Sequence, residues 1–253
     1  MEVPPFQGKK EVINKIFTTL RNGKNCLLQG DAASGKTRVF FEVAARALQQ
    51  KQEVILVEYP GSLPRMERNI AGGLLLRDLP DTRAFRNAIY RRAKEDSFWL
   101  LVDNYLGENR ALDHFLQSLS HLSCRIAVNF RRDEYQSIRS AFRALQTHEV
   151  FRLEPLATPH AKGLIEWARR HYGIAGDLPV HDLLKISNQL PGLMLGILAL
   201  LQQPRYCGLH GYLLRNAYTE FHTSLHLNRG HWGLFEEQAA WRIFQRGKNG
   251  QPE

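Results

Sequence analysis

The clearest chemistry in the chain lies in Gly30-Asp31-Ala32-Ala33-Ser34-Gly35-Lys36-Thr37, which reads G-x-x-x-x-G-K-T. Glycines and small side chains let a backbone approach an anion closely. N–H groups from Ala33 to Lys36 can then wrap a phosphate, and a following helix adds its positive amino-terminal dipole. Lys36 is spaced to reach the β- and γ-phosphates of a nucleoside triphosphate, and Thr37 to place its hydroxyl on Mg²⁺. Gly30, Ala33, Ser34, Gly35, Lys36, Thr37 and Arg38 form the candidate cofactor-binding set. A guanine-specifying N-K-x-D pattern is absent from the sequence, so ATP with Mg²⁺ is the expected ligand.

A second centre is the apolar run Phe98-Trp99-Leu100-Leu101-Val102, which ends in Asp103. An acid at the carboxyl end of a buried strand is placed to hold Mg²⁺ opposite Lys36, so Thr37 and Asp103 are the expected metal-binding pair. Asn104 follows where many such ATPases carry a glutamate that activates water. Glu58, at the end of another apolar run, and Glu108 are the substitute bases on offer. Asn129, and Arg131 with Arg132 just beyond it, end a further run. Asn129 there could sense a γ-phosphate, and Arg131 could act as an arginine finger, in this or a neighbouring subunit. The two arginines could equally cap and solvate the strand end.

These residues need a sheet to bring them together. Runs at 25–29, 53–58, 98–103, 125–130 and 150–153 are apolar and partly β-branched, fit for buried strands. Between and before them, 12–20, 37–50, 112–122 and 133–145 show helical spacing, and Asp81 is placed to cap another helix. Near-continuous apolar strands separated by helices imply an α/β fold with helices on both sheet faces. After residues 154–156 the pattern changes to short helices at 161–172, 180–187 and 191–201, with Thr158-Pro159 as cap and first helical residue. The expected organisation is a nucleotide-binding α/β domain over 1–156, a helical lid over 157–203, and a helical or irregular segment over 204–253 whose last residues, 247–253, are disordered.

The chain has 253 residues, 43% of them hydrophobic, with 34 Lys+Arg against 25 Asp+Glu for a formal net charge of +9. That excess suits an anionic partner, nucleic acid first, although many soluble proteins are as basic without one. Positive charge concentrates between Arg65 and Lys94. Arg83, Arg86, Tyr90 and Lys94 would share one helix face, and Arg65 and Arg68 precede them. That face is either simply solvated or a contact for a phosphate backbone. Cys26, Cys124 and Cys207 have neither metal nor disulfide spacing. With no signal-peptide pattern at the start and no apolar run long enough to span a bilayer, a cytoplasmic location is expected. His222 and His226 are four apart but lack the acid that H-E-x-x-H requires, so they read as ordinary core or surface residues. No internal repeat or low-complexity linker is visible.

Several separated pieces resemble one superfamily. Phe6-Gln7-Gly8-Lys9-Lys10-Glu11 resembles an F-x-G-R-x-x-E box with lysine in place of arginine. The phosphate loop, Val102-Asp103-Asn104, Leu153-Glu154-Pro155-Leu156 and Ser187-Asn188-Gln189-Leu190-Pro191-Gly192 follow in the order seen in AAA+-related signal-transduction (STAND) ATPases. Origin-recognition-type and archaeal ATPases share much of that layout. The resemblance implies a P-loop NTPase sandwich with a five-stranded parallel sheet of order 5-1-4-3-2, nucleotide at the strands' carboxyl ends, and Pro191 over the adenine or phosphates. Two features depart from it. No arginine follows Pro191 as a sensor-2 residue would, and the length leaves no room for an appended winged helix and repeat array. A sensor or effector would then be a partner or the last fifty residues.

The leading functional expectation is an ATP-binding switch or motor with slow hydrolysis, acting with a protein partner or its own copies. A DNA-associated ATPase of the loader or transposon target-selection type, oligomerising on nucleic acid, is the alternative. A non-hydrolysing scaffold stabilised by nucleotide is a third. A small-molecule kinase is disfavoured, because no substrate-binding motif accompanies the loop.

Overall fold

A computed structural model describes residues 8–58, 60–76, 80–106, 109–131, 145, 148–174, 178–201 and 211–227, the side chains of 148, 211–213 and 224–227 excepted. Phe6, Gln7, Glu108, Arg132, Cys207, the helix expected at 133–145, the side chain of His226 and the tail 247–253 lie outside the described residues.

Five strands form one sheet: β1 (Asn25–Gly30), β2 (Val54–Glu58), β3 (Trp99–Asp103), β4 (Arg125–Arg131) and β5 (His148–Leu153). Their order is β2-β3-β4-β1-β5 and every pairing is parallel, which is the 5-1-4-3-2 arrangement. Strands β1 to β4 are largely buried and every residue of β3 is inside, whereas β5, at the sheet edge, leaves Val150 and Arg152 exposed. A sheet covered on both sides needs apolar side chains at successive positions, which explains why these runs lack alternation.

Contacts divide the chain into two compact units. One comprises Glu11–Asp31 and Lys36–Leu153. The other comprises Ala32–Gly35, the described residues up to Lys10, and those from Glu154 on.

The first unit holds the sheet and helices α1 (Lys10–Arg21), α2 (Lys36–Gln49), α3 (Leu63–Gly73), α4 (Thr82–Glu95) and α5 (Arg110–Ser120). Helix α1 buries Ile13, Ile16, Phe17 and Leu20; Phe17 meets Trp99 edge-on with ring centroids 5.1 Å apart. Asp81 caps α4 as expected, accepting a hydrogen bond from Ala84 N at 2.7 Å. Helix α3 is absent from the sequence reading, which took 65–94 as one basic stretch. Pro64 stands in its first turn, where a missing N–H costs nothing, and Met66 and Ile70 carry its buried stripe. Gly73 ends it, packed so tightly that a Cβ there would lie 2.9 Å from Ile55 Cγ2.

The second unit contains α6 (Thr158–His171), α7 (Val180–Ile186), α8 (Pro191–Leu200) and α9 (Gly211–Leu227). Its core gathers Leu164, Ile165, Leu183, Met194, Ile197 and Leu214. Thr158 does not cap α6. Ala157 takes that position without a side-chain hydrogen bond, and Pro159 sits one place further in. Thr158 instead donates its hydroxyl to Gln189 Oε1 at 3.3 Å. Lys9 is buried and donates its ammonium to the carbonyls of Glu154 and Pro155, so the segment before α1 is tied to this unit. Burial pulls the Lys9 pKa down, opposed by the nearby Glu154.

His222 lies on α9 with its ring tilted against Tyr218. Among the described residues no group of three metal-capable side chains is found, and no helix is long and apolar enough to cross a membrane.

Candidate functional site

Strand β1 ends at Gly30 and α2 begins at Lys36, so residues 31–35 form the turn between them. Ala33 has φ 61° and Gly35 has φ 91°, and the second is a value that glycine adopts without penalty. Such left-handed residues curl a backbone so that consecutive N–H groups converge on one point, the geometry of an anion nest. Ser34 is 1% exposed, and its Oγ has no hydrogen-bond partner among the described residues. A buried, unpaired hydroxyl at the head of a helix suits the oxygen of a phosphate. Lys36 is also buried and donates its ammonium to the carbonyls of Gly30 at 3.0 Å and Asp31 at 2.8 Å. The ammonium is thereby folded against carbonyls of the loop's own rim.

Thr37 Oγ1 donates to Asp103 Oδ2 at 2.8 Å, joining the first turn of α2 to the carboxyl end of β3. Asp103 is fully buried, and three further hydrogen bonds organise its surroundings. Asn129 Nδ2 donates to Oδ1, Asn104 Nδ2 donates to Oδ2 at 2.9 Å, and Asn104 N donates to Asn129 Oδ1 at 2.9 Å. Asn104 holds this position with φ 52°, in the left-handed region that asparagine tolerates better than most residues. Burial pushes the Asp103 carboxyl up from its ordinary pKa. The hydrogen bonds from Asn129 and Thr37, the charge of Lys36 and the Asn104 backbone pull the other way.

Glu58 lies in register with Asp103 across the β2–β3 pairing, also at a strand's carboxyl end. It is half-buried, and both that burial and the neighbouring Asp103 charge raise its pKa. Arg131 closes β4 in register with Gly30. Arg38 pairs with Glu42 one turn along α2 at 2.6 Å.

In the helical unit, the amino end of α8 meets residues 32–35. Gly192 N donates to Ala33 O at 2.8 Å, and Pro191 Cγ would lie 3.5 Å from a Cβ built on Gly35. Only glycine fits at 192, where a Cβ would stand 2.9 Å from the Ala33 Cβ.

The fold recurs in solved structures. The chain superposes on a Walker-type ATPase of Pyrococcus abyssi with a TM-score of 0.58 at 12% identity, covering 95% of this chain and 77% of that one. Against the Aeropyrum pernix ORC1 protein in complex with DNA the TM-score is 0.59 at 14% identity, over 87% and 67% of the two chains. AMPPCP-bound DnaA from Aquifex aeolicus gives 0.55 at 17% identity, over 91% and 72%. The fold is the one these three structures share. No protein-family model matches the sequence, and no curated protein matches it either. The likeness is thus carried by structure rather than by close sequence relationship.

Within this fold, Lys36, Thr37, Asp103 and Asn104 lie together where β1 and β3 end and α2 begins, and Glu58 lies beside Asp103. The role the sequence assigned to Asn129, sensing a γ-phosphate, overlooked its present bonds: both ends of its amide are used in holding Asp103 and Asn104. Gly192 was legible only as part of a leucine-proline element, although a glycine directly after a helix-starting proline was a signal of close approach. Ser34 was read for its backbone, and its hydroxyl is buried without a hydrogen-bond partner among the described residues.

Among the basic residues, Arg65, Arg68, Arg83 and Lys94 are exposed on α3 and α4. Arg86 is already engaged: its Nε lies 2.5 Å from Glu67, whose side chain is fully buried. Tyr90 packs against Phe115 rather than standing on an open cationic face.

Proposed function

We propose that this chain binds ATP with Mg²⁺ and works as a nucleotide-gated switch that hydrolyses slowly. The observation that carries the reading is the 2.8 Å contact between Thr37 and Asp103 at the head of α2. A hydroxyl and a carboxylate so placed, beside a glycine-bounded loop and a buried lysine, match what a triphosphate and its cation require. Mg²⁺, held by Thr37 and Asp103, would neutralise charge on the triphosphate oxygens. Lys36 would exchange its carbonyl partners for β- and γ-phosphate oxygens, and the Ser34 hydroxyl would gain the partner it lacks. Asn129 and Asn104 keep Asp103 fixed while these exchanges occur.

The gating follows from Ala33, which belongs both to the phosphate loop and to the packing at the amino end of α8. A phosphate drawn into the loop moves the backbone that Gly192 holds, and α8 responds. Hydrolysis is expected to be slow because the residue directly after Asp103, Asn104, supplies no proton acceptor, so any base must come from another strand.

Titration calorimetry of ATP·Mg²⁺ into wild type and Lys36→Ala tests the binding, with saturable uptake expected for wild type and a loss of at least about tenfold for the variant. Hydrogen exchange tests the gating: ATP·Mg²⁺ should change protection at 190–200. Exchange there that ignores nucleotide would refute the switch.

A DNA-associated ATPase is the second reading, favoured by the exposed Arg65, Arg68, Arg83 and Lys94 on α3 and α4. Duplex binding through these residues would weaken steeply with salt and self-assembly would accompany it. Absence of ATP-dependent duplex binding at low salt would dispose of it.

A further inference from the structure

Hydrolysis of the terminal phosphate needs a group that takes a proton from the attacking water, and the residue after Asp103 cannot serve. Asn104 is an amide, and its side chain is spent on Asp103 Oδ2. Asp103 is itself committed: its two oxygens accept from Thr37, Asn104 and Asn129. Asp113 is tied to the Tyr105 hydroxyl.

Glu58 differs from all of these. Residues in register on adjacent parallel strands project to the same face of a sheet, so Glu58 and Asp103 share the face that Asp103 turns toward Thr37. Both end their strands, at the edge where the phosphate loop also lies. Among the described residues Glu58 has no hydrogen bond or ion pair that would occupy its oxygens. A carboxylate one strand away from the metal-binding acid, on its face and uncommitted, is what a water-activating group requires.

We infer that Glu58 is the general base of ATP hydrolysis in this chain, taking the part that a glutamate after the metal-binding aspartate would play. This rests on the ATP-binding reading above. In the step assigned to it, the water oxygen forms a bond to the γ-phosphorus as the bond from that phosphorus to the β–γ bridging oxygen breaks. The electron pair of the broken bond leaves with ADP. The water proton passes to the Glu58 carboxylate and from there to solvent.

The test uses the full chain as wild type, Glu58→Gln and Glu58→Asp. Single-turnover hydrolysis of ATP·Mg²⁺ is measured beside calorimetric binding of a non-hydrolysable ATP analogue. The expected result is a fall of about 10²–10⁴-fold in rate for Glu58→Gln, a smaller fall for Glu58→Asp, and analogue affinity unchanged within about threefold in both. A Gln variant that hydrolyses at the wild-type rate overturns the inference, and so does one whose rate and affinity fall in parallel. If Glu58→Gln fails to fold, Glu58→Asp decides: a wild-type rate in it overturns the assignment. Wild type that binds the analogue but never turns over ATP refutes Glu58 as a base and leaves the nucleotide reading intact. Wild type that binds no nucleotide removes both.

Discussion

Asp103 and Glu58 are two carboxyls side by side at the carboxyl ends of β3 and β2, and burial raises both from their ordinary pKa values. A carboxyl whose folded pKa is raised holds its proton to higher pH in the folded chain than in the unfolded one. Its stabilising contribution is complete below the unfolded value and is lost as pH rises through the folded value. At neutral pH the nucleotide-free chain therefore bears the cost of a half-buried Glu58 charge beside Asp103. Glu58→Gln should melt above wild type at about pH 7.5, with the difference shrinking as pH falls and vanishing at about pH 3, below the ordinary glutamate range. Thermal melts at a series of pH values read this directly, and equal melting across the range would contradict it. At this scale the motif residues were legible, because G-x-x-x-x-G-K-T dictates backbone as well as side chains. The pairing of Glu58 with Asp103 was not, since register between strands separated by two helices leaves no mark on either run. Nor could spacing show that Asn129 spends its amide on Asp103.

Between elements, two close contacts carry separate predictions. Gly192→Ala would force a Cβ to within 2.9 Å of Ala33 Cβ and 3.0 Å of Ala33 O, against the hydrogen bond that joins them. Overpacking of this kind costs about 1–3 kcal/mol, so the variant should lose several degrees in Tm and bind ATP more weakly. The α3–α4 pair depends on Glu67, 0% exposed, with Arg86 as its cation and one oxygen unpartnered. Arg86→Ala leaves that carboxylate buried and alone, and should destabilise by about 1–3 kcal/mol in denaturant unfolding. Adding Glu67→Met should recover part of the loss, because the unpaired charge goes with it. Neither interaction was readable beforehand. Helix α3 hid behind Pro64, Gly72 and Gly73, residues that usually break helices but here sit at its ends. Thr158 has the type and the following proline of a helix cap, yet the helix starts one residue earlier and its hydroxyl finds Gln189. Capping preference was outweighed by a tertiary partner.

For the whole molecule, five near-continuous apolar runs separated by helices already implied a covered parallel sheet. The strand order came through the resemblance to AAA+-related ATPases, and the pairing bears it out. Periodicity could not have supplied it, because every strand of such a sheet has the same composition. The charge of +9 is a bulk property, and folding redistributes it: Arg86 and Arg92 are consumed by Glu67, Glu53 and Asp96. What remains exposed on α3 and α4 sets the DNA prediction. Replacing Arg65, Arg68, Arg83 and Lys94 together by alanine should flatten the salt dependence of any duplex binding, read as the slope of log affinity against log salt.

The central claim is that the loop of Gly30 to Thr37, with Asp103, holds a nucleoside triphosphate. Calorimetric titration of ATP·Mg²⁺ into the full chain, in parallel with Lys36→Ala of equal thermal stability, tests it most directly. Saturable binding to wild type near one equivalent, weakened at least about tenfold by the substitution, is the predicted result. No binding to wild type, or equal binding to both proteins, would contradict it.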